Sequence, residues 1–313
     1  MQHTKHLPVL ALSLFTLLAA FTARAQENAD PFAPPHEGGP KAVLIQFHRG
    51  GGNIRPDNSL ETFLWCWSKG AIPEADCRLT KDGVAIAFHD DNLKRLGRGM
   101  SDELKAKSIR DLNWNEIKDV DVGSYLGPEY ASYRITTIEA VFAAMKYRPE
   151  RLLYVDEKGA SPELLAELSA KYGVQNQIIF ASTNYDLIPR WKQMAPQAKA
   201  INWLHWFGIN DPAQAEAAIQ RQLDNLVKHD FKDVDIVQIH IKADMSKEDP
   251  FTPSSEFLRK AGELIKSHGC IFQIITWTEG NNPEVYRKLL DLGAQSFATD
   301  WPEECLEGCD LKK

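Results

Sequence analysis

Two histidines, and two carboxylates at strand spacing, lie in the stretch from Val43 to Asp90. Glu74 and Asp76 are two residues apart in an apolar segment, so on a strand their side chains point to the same face. His48 and His89 each follow an apolar run that is typical of a strand ending at a polar loop. Two acids on one face, near two histidines at strand ends, suit a divalent cation together with acid–base chemistry.

The elements that must position these groups are short strands that alternate with helices. Strands are predicted at 43–47, 71–76, 84–88, 151–155, 178–181, 198–203, 234–239, 271–276 and 296–299. Helical spacing of apolar residues is predicted at 59–69, 137–146, 162–172, 186–194, 212–228, 254–267 and 283–291. Roughly eight strand–helix units suit an α/β fold of the (β/α)8 TIM-barrel type. The alternative, an open doubly wound sheet, has less support because no Gly-x-Gly-x-x-Gly motif opens a helix.

Polar side chains follow the predicted strands at or just beyond their carboxyl ends. In a (β/α)8 barrel those ends meet at one mouth, where the chemistry takes place. The shared position therefore predicts a single site at that mouth. The residues concerned are His48, Glu74, Asp76, Asp156, Lys158, His205, His240, Trp277 and Asp300.

The order of short motifs along the chain resembles the glycerophosphodiester phosphodiesterase family. The motifs are His48-Arg49-Gly50, Asp57-Asn58-Ser59, Glu74-Ala75-Asp76, Thr80-Lys81-Asp82-Gly83, His89-Asp90, Asp156-Glu157-Lys158, Thr276-Trp277-Thr278 and Thr299-Asp300-Trp301-Pro302. The resemblance covers nearly all of the chain after its first 25 residues. Three features depart from the family pattern: the usual Glu-Asn-Thr is replaced at 57–59, 51–55 forms a slightly long glycine-rich loop, and Asp156 stands where the family usually has Glu.

The resemblance implies a TIM barrel that hydrolyses glycerophosphodiesters to glycerol 3-phosphate and an alcohol. It assigns one divalent cation to Glu74, Asp76 and Asp156. Three carboxylates without clustered cysteines favour a hard ion, Ca²⁺ or Mg²⁺. The family's third ligand is usually Glu in a Glu-x-Lys pattern, so both Asp156 and its neighbour Glu157 are candidates for that ligand.

His48 and His89 resemble the family's acid–base pair, and imidazole titrates near neutral pH. The sequence leaves open which histidine is the acid and which the base. It also leaves open whether water or the substrate's own hydroxyl attacks first.

The same resemblance implies that Arg49 and Lys158 bind the phosphate, because both side chains are positively charged and suited to phosphate oxygens. Asn58 is expected either to hydrogen-bond across the loop at the substrate or to cap a helix start. Trp277 is expected beside the glycerol. For three aromatic residues, core packing is slightly favoured over a position beside the leaving group: Trp203, Trp206 and Phe207. Structural roles are expected for the histidines that match no catalytic motif, which are His205, His229, His240 and His268.

Two other functions remain open at this point. Related barrels act on lysophospholipids or sphingomyelin as phospholipase D-like enzymes, which an exposed apolar groove around 203–207 would favour. A binding protein that keeps the barrel without turnover is the third hypothesis, and the retained histidines and acids argue against it.

The first 25 residues predict a secretory signal peptide, with a basic head, an apolar segment from Leu7 to Phe21 and a small-x-small end at 23–25. An uncleaved membrane anchor is the less favoured alternative because the apolar segment is short. Cleavage would remove Lys5 and Arg24 and no acid, which changes the net charge from -7 to -9. We therefore expect an exported, periplasmic or secreted protein with a small-molecule substrate rather than nucleic acid or an anionic membrane as its main partner.

After the signal peptide, 26–41 is predicted to be a flexible arm and 42–313 the catalytic domain, with 92–134 as an insertion that caps or flanks the site. Five cysteines are present, and an exported protein could oxidise them. Cys305 and Cys309 are close enough in sequence to pair, whereas Cys66, Cys77 and Cys270 are expected to be buried apolar residues. Oligomeric state is left open.

Overall fold

The computed structural model describes residues 44–311, and eight parallel strands in that part of the chain form a closed barrel. Each strand pairs with the next one, and the first strand also pairs with the last, which closes the barrel. The predicted (β/α)8 barrel is confirmed. The strands are β1 Leu44–Phe47, β2 Ile72–Leu79, β3 Leu153–Glu157, β4 Ile178–Ser182, β5 Lys199–Leu204, β6 Ile236–Ala243, β7 Ile271–Thr276 and β8 Ser296–Thr299.

A helix follows each barrel strand, and several helices begin at a residue whose side chain caps them. Ser59 Oγ accepts a hydrogen bond from the backbone of Thr62, and Thr137 Oγ1 accepts one from Ala140. These bonds satisfy backbone N–H groups that have no partner inside the helix. The barrel helices are α1 Leu60–Ser68, α2 Ile138–Met145, α3 Pro162–Tyr172, α4 Leu187–Met194, α5 Pro212–Lys228, α6 Ser255–Ser267, α7 Pro283–Asp291 and α8 Pro302–Gly308.

Two strands extend further than the sequence pattern predicted, because each gains a second partner beyond the barrel. The end of β2 pairs antiparallel with Ala85–Ala87, and the end of β6 pairs antiparallel with Phe251–Thr252. The extra hydrogen bonds continue both strands through polar residues that the apolar pattern could not include. Similarly, β3 runs on to Glu157 because Asp156 pairs with Asp76 in the ladder.

Residues 92–134 lie between the short strand Ala85–Ala87 and α2 and contain a small hydrophobic cluster. The cluster is shared with the hairpin, since Ile86 and Phe88 pack into it. This contact ties the insertion to β2, the strand that carries two of the predicted site residues. The insertion contains the short helices Asp102–Ala106 and Trp114–Ile117 and the 3-10 turns Ile109–Asp111 and Pro128–Tyr130. A further short strand, Thr136–Thr137, pairs with Ala85–Ala87.

The predicted signal peptide and most of the predicted arm lie outside the described residues and stay predictions. Within 44–311, no helix is both long enough and apolar enough to span a bilayer. The five cysteines are buried and each is a free thiol. No disulfide therefore links Cys305 to Cys309 in the described structure, although Cys309 follows Cys305 by one helical turn.

Candidate active site

The three predicted carboxylates meet at the carboxyl-end mouth of the barrel. Glu74 and Asp76 lie on β2 and Asp156 lies opposite Asp76 on the neighbouring β3. One oxygen from each carboxylate lies within 4.8 Å of the others, and the exposed fractions of the three residues are 3%, 1% and 9%. Glu157 points elsewhere, because its Oε1 accepts a hydrogen bond of 2.6 Å from the backbone of Gly159. The geometry therefore selects Asp156 over Glu157 as the third member of the set.

This acidic triad (Glu74, Asp76 and Asp156) has the chemistry of a cation site. Burial, and then the nearby Asp76, raise the pKa of Glu74 above its ordinary range, and burial also raises the pKa of Asp156. Glu74 Oε1 is buried and has no hydrogen-bond partner among the described residues. An unpartnered carboxylate oxygen in such a place is costly unless a cation meets it. The triad is therefore compatible with a divalent metal, and its all-oxygen donors suit a hard ion.

Two basic side chains lie against the triad. Lys158 Nζ is 2.6 Å from Asp156 Oδ2 and 3.7 Å from Asp76 Oδ1. The backbone N–H of Arg49 donates to Glu74 Oε2 at 2.7 Å, and its Nη1 donates to Asp57 Oδ2 at 3.0 Å. Arg49 Nε is buried and has no hydrogen-bond partner in the described part of the chain. A buried donor and a buried acceptor therefore both lack partners at one place, as expected where an anionic ligand and a cation would bind together.

Asn58 acts on the site through Asp76. Its Nδ2 donates to Asp76 Oδ2 at 2.8 Å, and its Oδ1 accepts from the backbone of Asp76 at 2.9 Å. The two bonds use both ends of the amide and fix the carboxylate orientation. Asn58 is buried and is not among the side chains that line the central pocket. In this geometry it supports the Asp76 carboxylate, and its expected contact with substrate stays a prediction.

His48 is oriented by an ion pair with Asp300 at the end of β8. Nδ1 of His48 lies 2.7 Å from Asp300 Oδ1. Burial lowers the pKa of His48, but the Asp300 carboxylate and then Glu74 raise it, so the pKa lies above 6.5. With Nδ1 engaged, Nε2 is the ring nitrogen left for a ligand.

Gly52 fixes the adjoining loop against Asp300. Gly52 has a φ of 55°, and a Cβ on it would collide with the backbone of Asp300. The neighbouring Asn53 N–H donates to the carbonyl of Asp300 at 2.8 Å. The glycines at 51–52 thus allow a close backbone approach here, as glycine uniquely permits.

His89 is oriented in the same manner by its neighbour in sequence. Nδ1 of His89 lies 2.8 Å from Asp90 Oδ1, and Asp90 in turn accepts from Arg95 at 2.7 Å. Burial raises the pKa of Asp90, but the hydrogen bonds that it accepts from His89 and Arg95 lower this pKa well below its usual range. Because Asp90 stays ionised, it holds the imidazole with Nε2 directed away from it.

Four rings form one side of the pocket, which we call the aromatic wall: Trp203, Phe207, His240 and Trp277. Trp203 and His240 stack with ring centroids 4.9 Å apart, and Trp277 presents its edge to His48 at 5.5 Å. Phe207 is 54% exposed at the mouth. The expectation of core packing holds for Trp206, which is buried and donates to the carbonyl of His240, but is wrong for Trp203 and Phe207.

His240 was expected to be structural, yet it lies in the pocket and its hydrogen bonds define its tautomer. The indole N–H of Trp277 can only donate, and it points at His240 Nδ1 at 3.2 Å. His240 Nδ1 must therefore accept, so Nε2 carries the proton and donates to Gln238 Oε1 at 2.9 Å. Burial, and then the nearby His205, His48 and Lys158, lower the pKa of His240 well below 6.5.

The chain of donors continues from Gln238 through the barrel interior. Gln238 Nε2 donates to Gln273 Oε1, and Gln273 Nε2 donates to Tyr154 at 3.1 Å and to Ser296 at 2.7 Å. Every member is buried. The chain of hydrogen bonds fixes His240 as a neutral imidazole. Its single N–H is bonded to Gln238 and its Nδ1 accepts from Trp277, so His240 holds Trp277 in place and is not an acid at neutral pH.

The central pocket encloses about 130 Å³ and contains both histidines, the triad, Arg49, Lys158 and the aromatic wall. The predicted site residues thus lie together, apart from Asn58 behind Asp76. Sequence reasoning placed His240 and Asp300 at the mouth of the barrel but assigned no catalytic or binding role to Asp300, Asp90 or His240. For His240 a signal existed, since Gln238 and His240 alternate with apolar residues on β6 and so face the barrel interior.

Comparison with known proteins agrees with this geometry. The model of the glycerophosphoryl diester phosphodiesterase family matches residues 48–304. The chain is 28% identical to the glycerophosphodiester phosphodiesterase of Caldanaerobacter subterraneus subsp. tengcongensis over 177 residues, which are 54% of this chain and 70% of that protein. It is 22% identical to human lysophospholipase D GDPD1 over 287 residues, 82% of each protein.

A solved structure shows the same fold. An Oleispira antarctica phosphodiesterase in complex with the product sn-glycerol-3-phosphate has a TM-score of 0.60 and 22% identity, and the match covers 85% of this chain and 96% of that one. The family model spans every predicted catalytic and metal-binding residue. The chain therefore belongs to the glycerophosphoryl diester phosphodiesterase family and is a phosphoric diester hydrolase.

Proposed function

We propose that this enzyme hydrolyses glycerophosphodiesters to glycerol 3-phosphate and an alcohol, with His48 and His89 as the acid–base pair. The observation that carries the proposal is one arrangement in one pocket. Two histidines, each held at Nδ1 by a carboxylate, share the pocket with a buried acidic triad and with the basic side chains of Arg49 and Lys158. Phosphodiester hydrolysis needs acid–base groups, positive side chains that bind the phosphate, and a site for a metal cation.

Glu74, Asp76 and Asp156 would hold one Ca²⁺ or Mg²⁺. When bound, such a cation neutralises charge on the phosphoryl oxygens and stabilises the charge that develops in the transition state. Asn58 keeps the Asp76 carboxylate oriented for this role through its two hydrogen bonds.

Arg49 and Lys158 position the phosphate. Nε of Arg49 lies 3.9 Å from Asp76 Oδ2 and has no hydrogen-bond partner among the described residues, so it is available as a donor for a phosphate oxygen. Lys158 adds a positive charge beside Asp156. Burial opposes its protonation, but Asp156 and Asp76 raise the pKa of Lys158, so it stays charged at neutral pH.

The two histidines move the protons at their Nε2 atoms. One takes the proton of the attacking water or substrate hydroxyl, and the other gives a proton to the departing alcohol oxygen. The bond from phosphorus to that oxygen breaks as the new bond to phosphorus forms. Trp277 contacts the glycerol through the face or edge of its ring, because its indole N–H already donates a hydrogen bond to His240.

Asp300→Asn is expected to move one limb of the pH–rate profile to lower pH. Asp300 is the main group that raises the pKa of His48 against burial, so removal of its charge lowers that pKa. If the acid limb moves, His48 is the base, because it must be neutral to act. If the alkaline limb moves, His48 is the acid. Profiles of kcat/KM for wild type and variant measure this, and two unmoved limbs in a folded variant would contradict the role of His48.

His240→Phe is expected to raise KM about fivefold to tenfold and to lower stability by about 1–3 kcal/mol. The ring stack on Trp203 can persist, but the Trp277 indole N–H and Gln238 Oε1 lose their partner. Because His240 is neutral in the wild type, the limbs of the pH–rate profile should not move. Thermal unfolding and steady-state kinetics test this, with His205→Phe as the control, since His205 stacks on Phe207 but does not line the central pocket.

A second substrate class has one observation in its favour. Phe207 is largely exposed beside Trp277, which gives the glycerol side an apolar surface that an acyl chain could cover. The human relative named lysophospholipase D shares 82% of its length with this chain. Lysophospholipase D or sphingomyelinase D-like activity is therefore the alternative proposal.

The test is an activity panel on purified protein with glycerophosphodiesters, lysophospholipids and sphingomyelin. Each substrate is assayed with EDTA and with added Ca²⁺ or Mg²⁺. Release of alcohol from the deacylated diesters in a metal-dependent manner is the expected result. Preference for lysolipids would replace it with the alternative, and the absence of turnover on every substrate by folded protein would overturn both.

A further inference from the structure

A second cleft adjoins the central pocket. It encloses about 300 Å³, more than twice the 130 Å³ of the pocket, and shares His48, Arg49 and Trp277 with it. We call this cleft the loop cleft. Its other lining residues are Gly52, Asn53, Arg55 and Asp57 from the β1–α1 loop, Arg95, Tyr125 and Leu126 from the insertion, and Asp300.

A diester needs two separate spaces around its phosphorus. Glycerol and the alcohol are two different substituents of the phosphorus and point away from it in different directions, and the departing alcohol oxygen lies roughly in line with the attacking oxygen. The aromatic wall occupies the side that the proposed function gives to glycerol. The loop cleft is the remaining space that is continuous with the catalytic histidine, so its position fits the departing alcohol.

Most of the charged groups in the loop cleft are already paired. Asp57 accepts from Arg49 Nη1 at 3.0 Å, lies 2.9 Å from Arg95 Nη2, and also accepts from the Tyr125 hydroxyl. Asp300 is held by His48. Because of these contacts, few charged groups of either sign remain without an ion-pair partner in the loop cleft.

Arg55 is the exception. Among the described residues it forms no ion pair with a carboxylate. Its guanidinium carbon lies 5.1 Å from the ring centroid of Trp65 and 5.9 Å from that of Tyr130. Cation–π contacts of this kind hold the group in place and leave its N–H donors in the plane of the guanidinium unused.

We propose that the loop cleft binds the departing alcohol and that Arg55 selects alcohols that carry an anionic group, a carboxylate or a second phosphate. This inference rests on the proposed function. Arg55 lies in the glycine-rich 51–55 loop, which places it in the lining of the loop cleft. Arg55 is a specificity residue here and takes no part in proton transfer.

Glycerophosphoserine and glycerophosphoethanolamine provide the test, because they differ by one carboxylate on the alcohol. The wild type is expected to have a kcat/KM about tenfold higher for the serine diester, the size of one charge-assisted hydrogen bond. Arg55→Gln should lower kcat/KM about tenfold for glycerophosphoserine and less than about twofold for glycerophosphoethanolamine. Arg55→Lys should keep part of the preference, and higher salt should reduce it in the wild type.

Arg259→Gln, at an exposed position on α6, is the matched control and should leave both rates unchanged. Thermal unfolding of each variant checks the fold. An equal loss on both substrates in Arg55→Gln, or a wild type without preference for the serine diester, would overturn the inference and leave the proposed function standing. The absence of turnover on both diesters by the wild type would overturn the proposed function and the inference with it.

Discussion

His48→Ala is expected to lower kcat for a glycerophosphodiester by about 10²–10⁴-fold. The ring is held by Asp300 at Nδ1 and lines the central pocket, so its loss removes one of the two groups that move a proton. KM should change much less, because Arg49, Lys158 and the triad still hold the phosphate. Steady-state kinetics with glycerophosphocholine and the purified variant measures the effect.

Removal of the imidazole also leaves the Asp300 carboxylate without its partner. His48→Asn is the second variant for that reason, since an amide N–H can still donate to Asp300 while it cannot act as acid or base. His268→Ala, outside the site at the end of α6, is the control for histidine loss. A folded His48→Asn enzyme with a kcat within about fivefold of wild type would show that His48 is not an acid–base group.

Glu74→Gln is expected to weaken divalent-cation binding at least about 100-fold and to lower kcat about 10³-fold. The amide has nearly the same shape and can still accept from the backbone of Arg49, so the change removes charge more than structure. The orphaned Oε1 is the atom through which Glu74 would meet the cation.

Cation binding can be measured without any turnover. At a free cation concentration 100 times the Kd, the wild type should gain about 2.7 kcal/mol of stability. Glu74→Gln should show little of this gain. Thermal unfolding with and without Ca²⁺ or Mg²⁺ gives the comparison, and an equal cation-induced shift in both proteins would exclude Glu74 as a ligand.

The metal-free proteins give a further readout with a defined sign. The pKa of Glu74 is raised in the fold, so its contribution to stability is present below its unfolded pKa and is lost as pH rises through the raised value. Metal-free Glu74→Gln should therefore lose less stability than wild type over that rise in pH.

Glu157→Gln is the matched control for the triad. Glu157 is the other acid in the motif that suggested a third ligand, and its Oε1 is bonded to the backbone of Gly159. We expect wild-type cation binding and kcat near that of the wild type. Loss of cation binding in Glu157→Gln and its retention in Asp156→Asn would reverse the assignment of the third ligand.

The sequence by itself determined the barrel and the composition of the site. Apolar runs and helical spacing follow from burial on one face, which is a local property, so β7, α3, α5 and α7 were predicted with the bounds observed. Glu74 and Asp76 could be placed on one face because alternation along a strand is also local. The insertion 92–134 was located but its packing was not, since the hydrophobic cluster joins residues from both of its ends with the β2 hairpin.

Only the tertiary structure decided which groups act on one another. Asp300 meets His48 from the far end of the chain because β8 closes the barrel beside β1. Asp156 was chosen over Glu157 by strand register, which sets adjacent residues on opposite faces. The tautomer of His240 and the unpaired charge of Arg55 each depend on partners from several segments. Hydrogen bonds and ion pairs are contacts in space, and a sequence pattern reports only the local periodicity that brings their residues to the same mouth of the barrel.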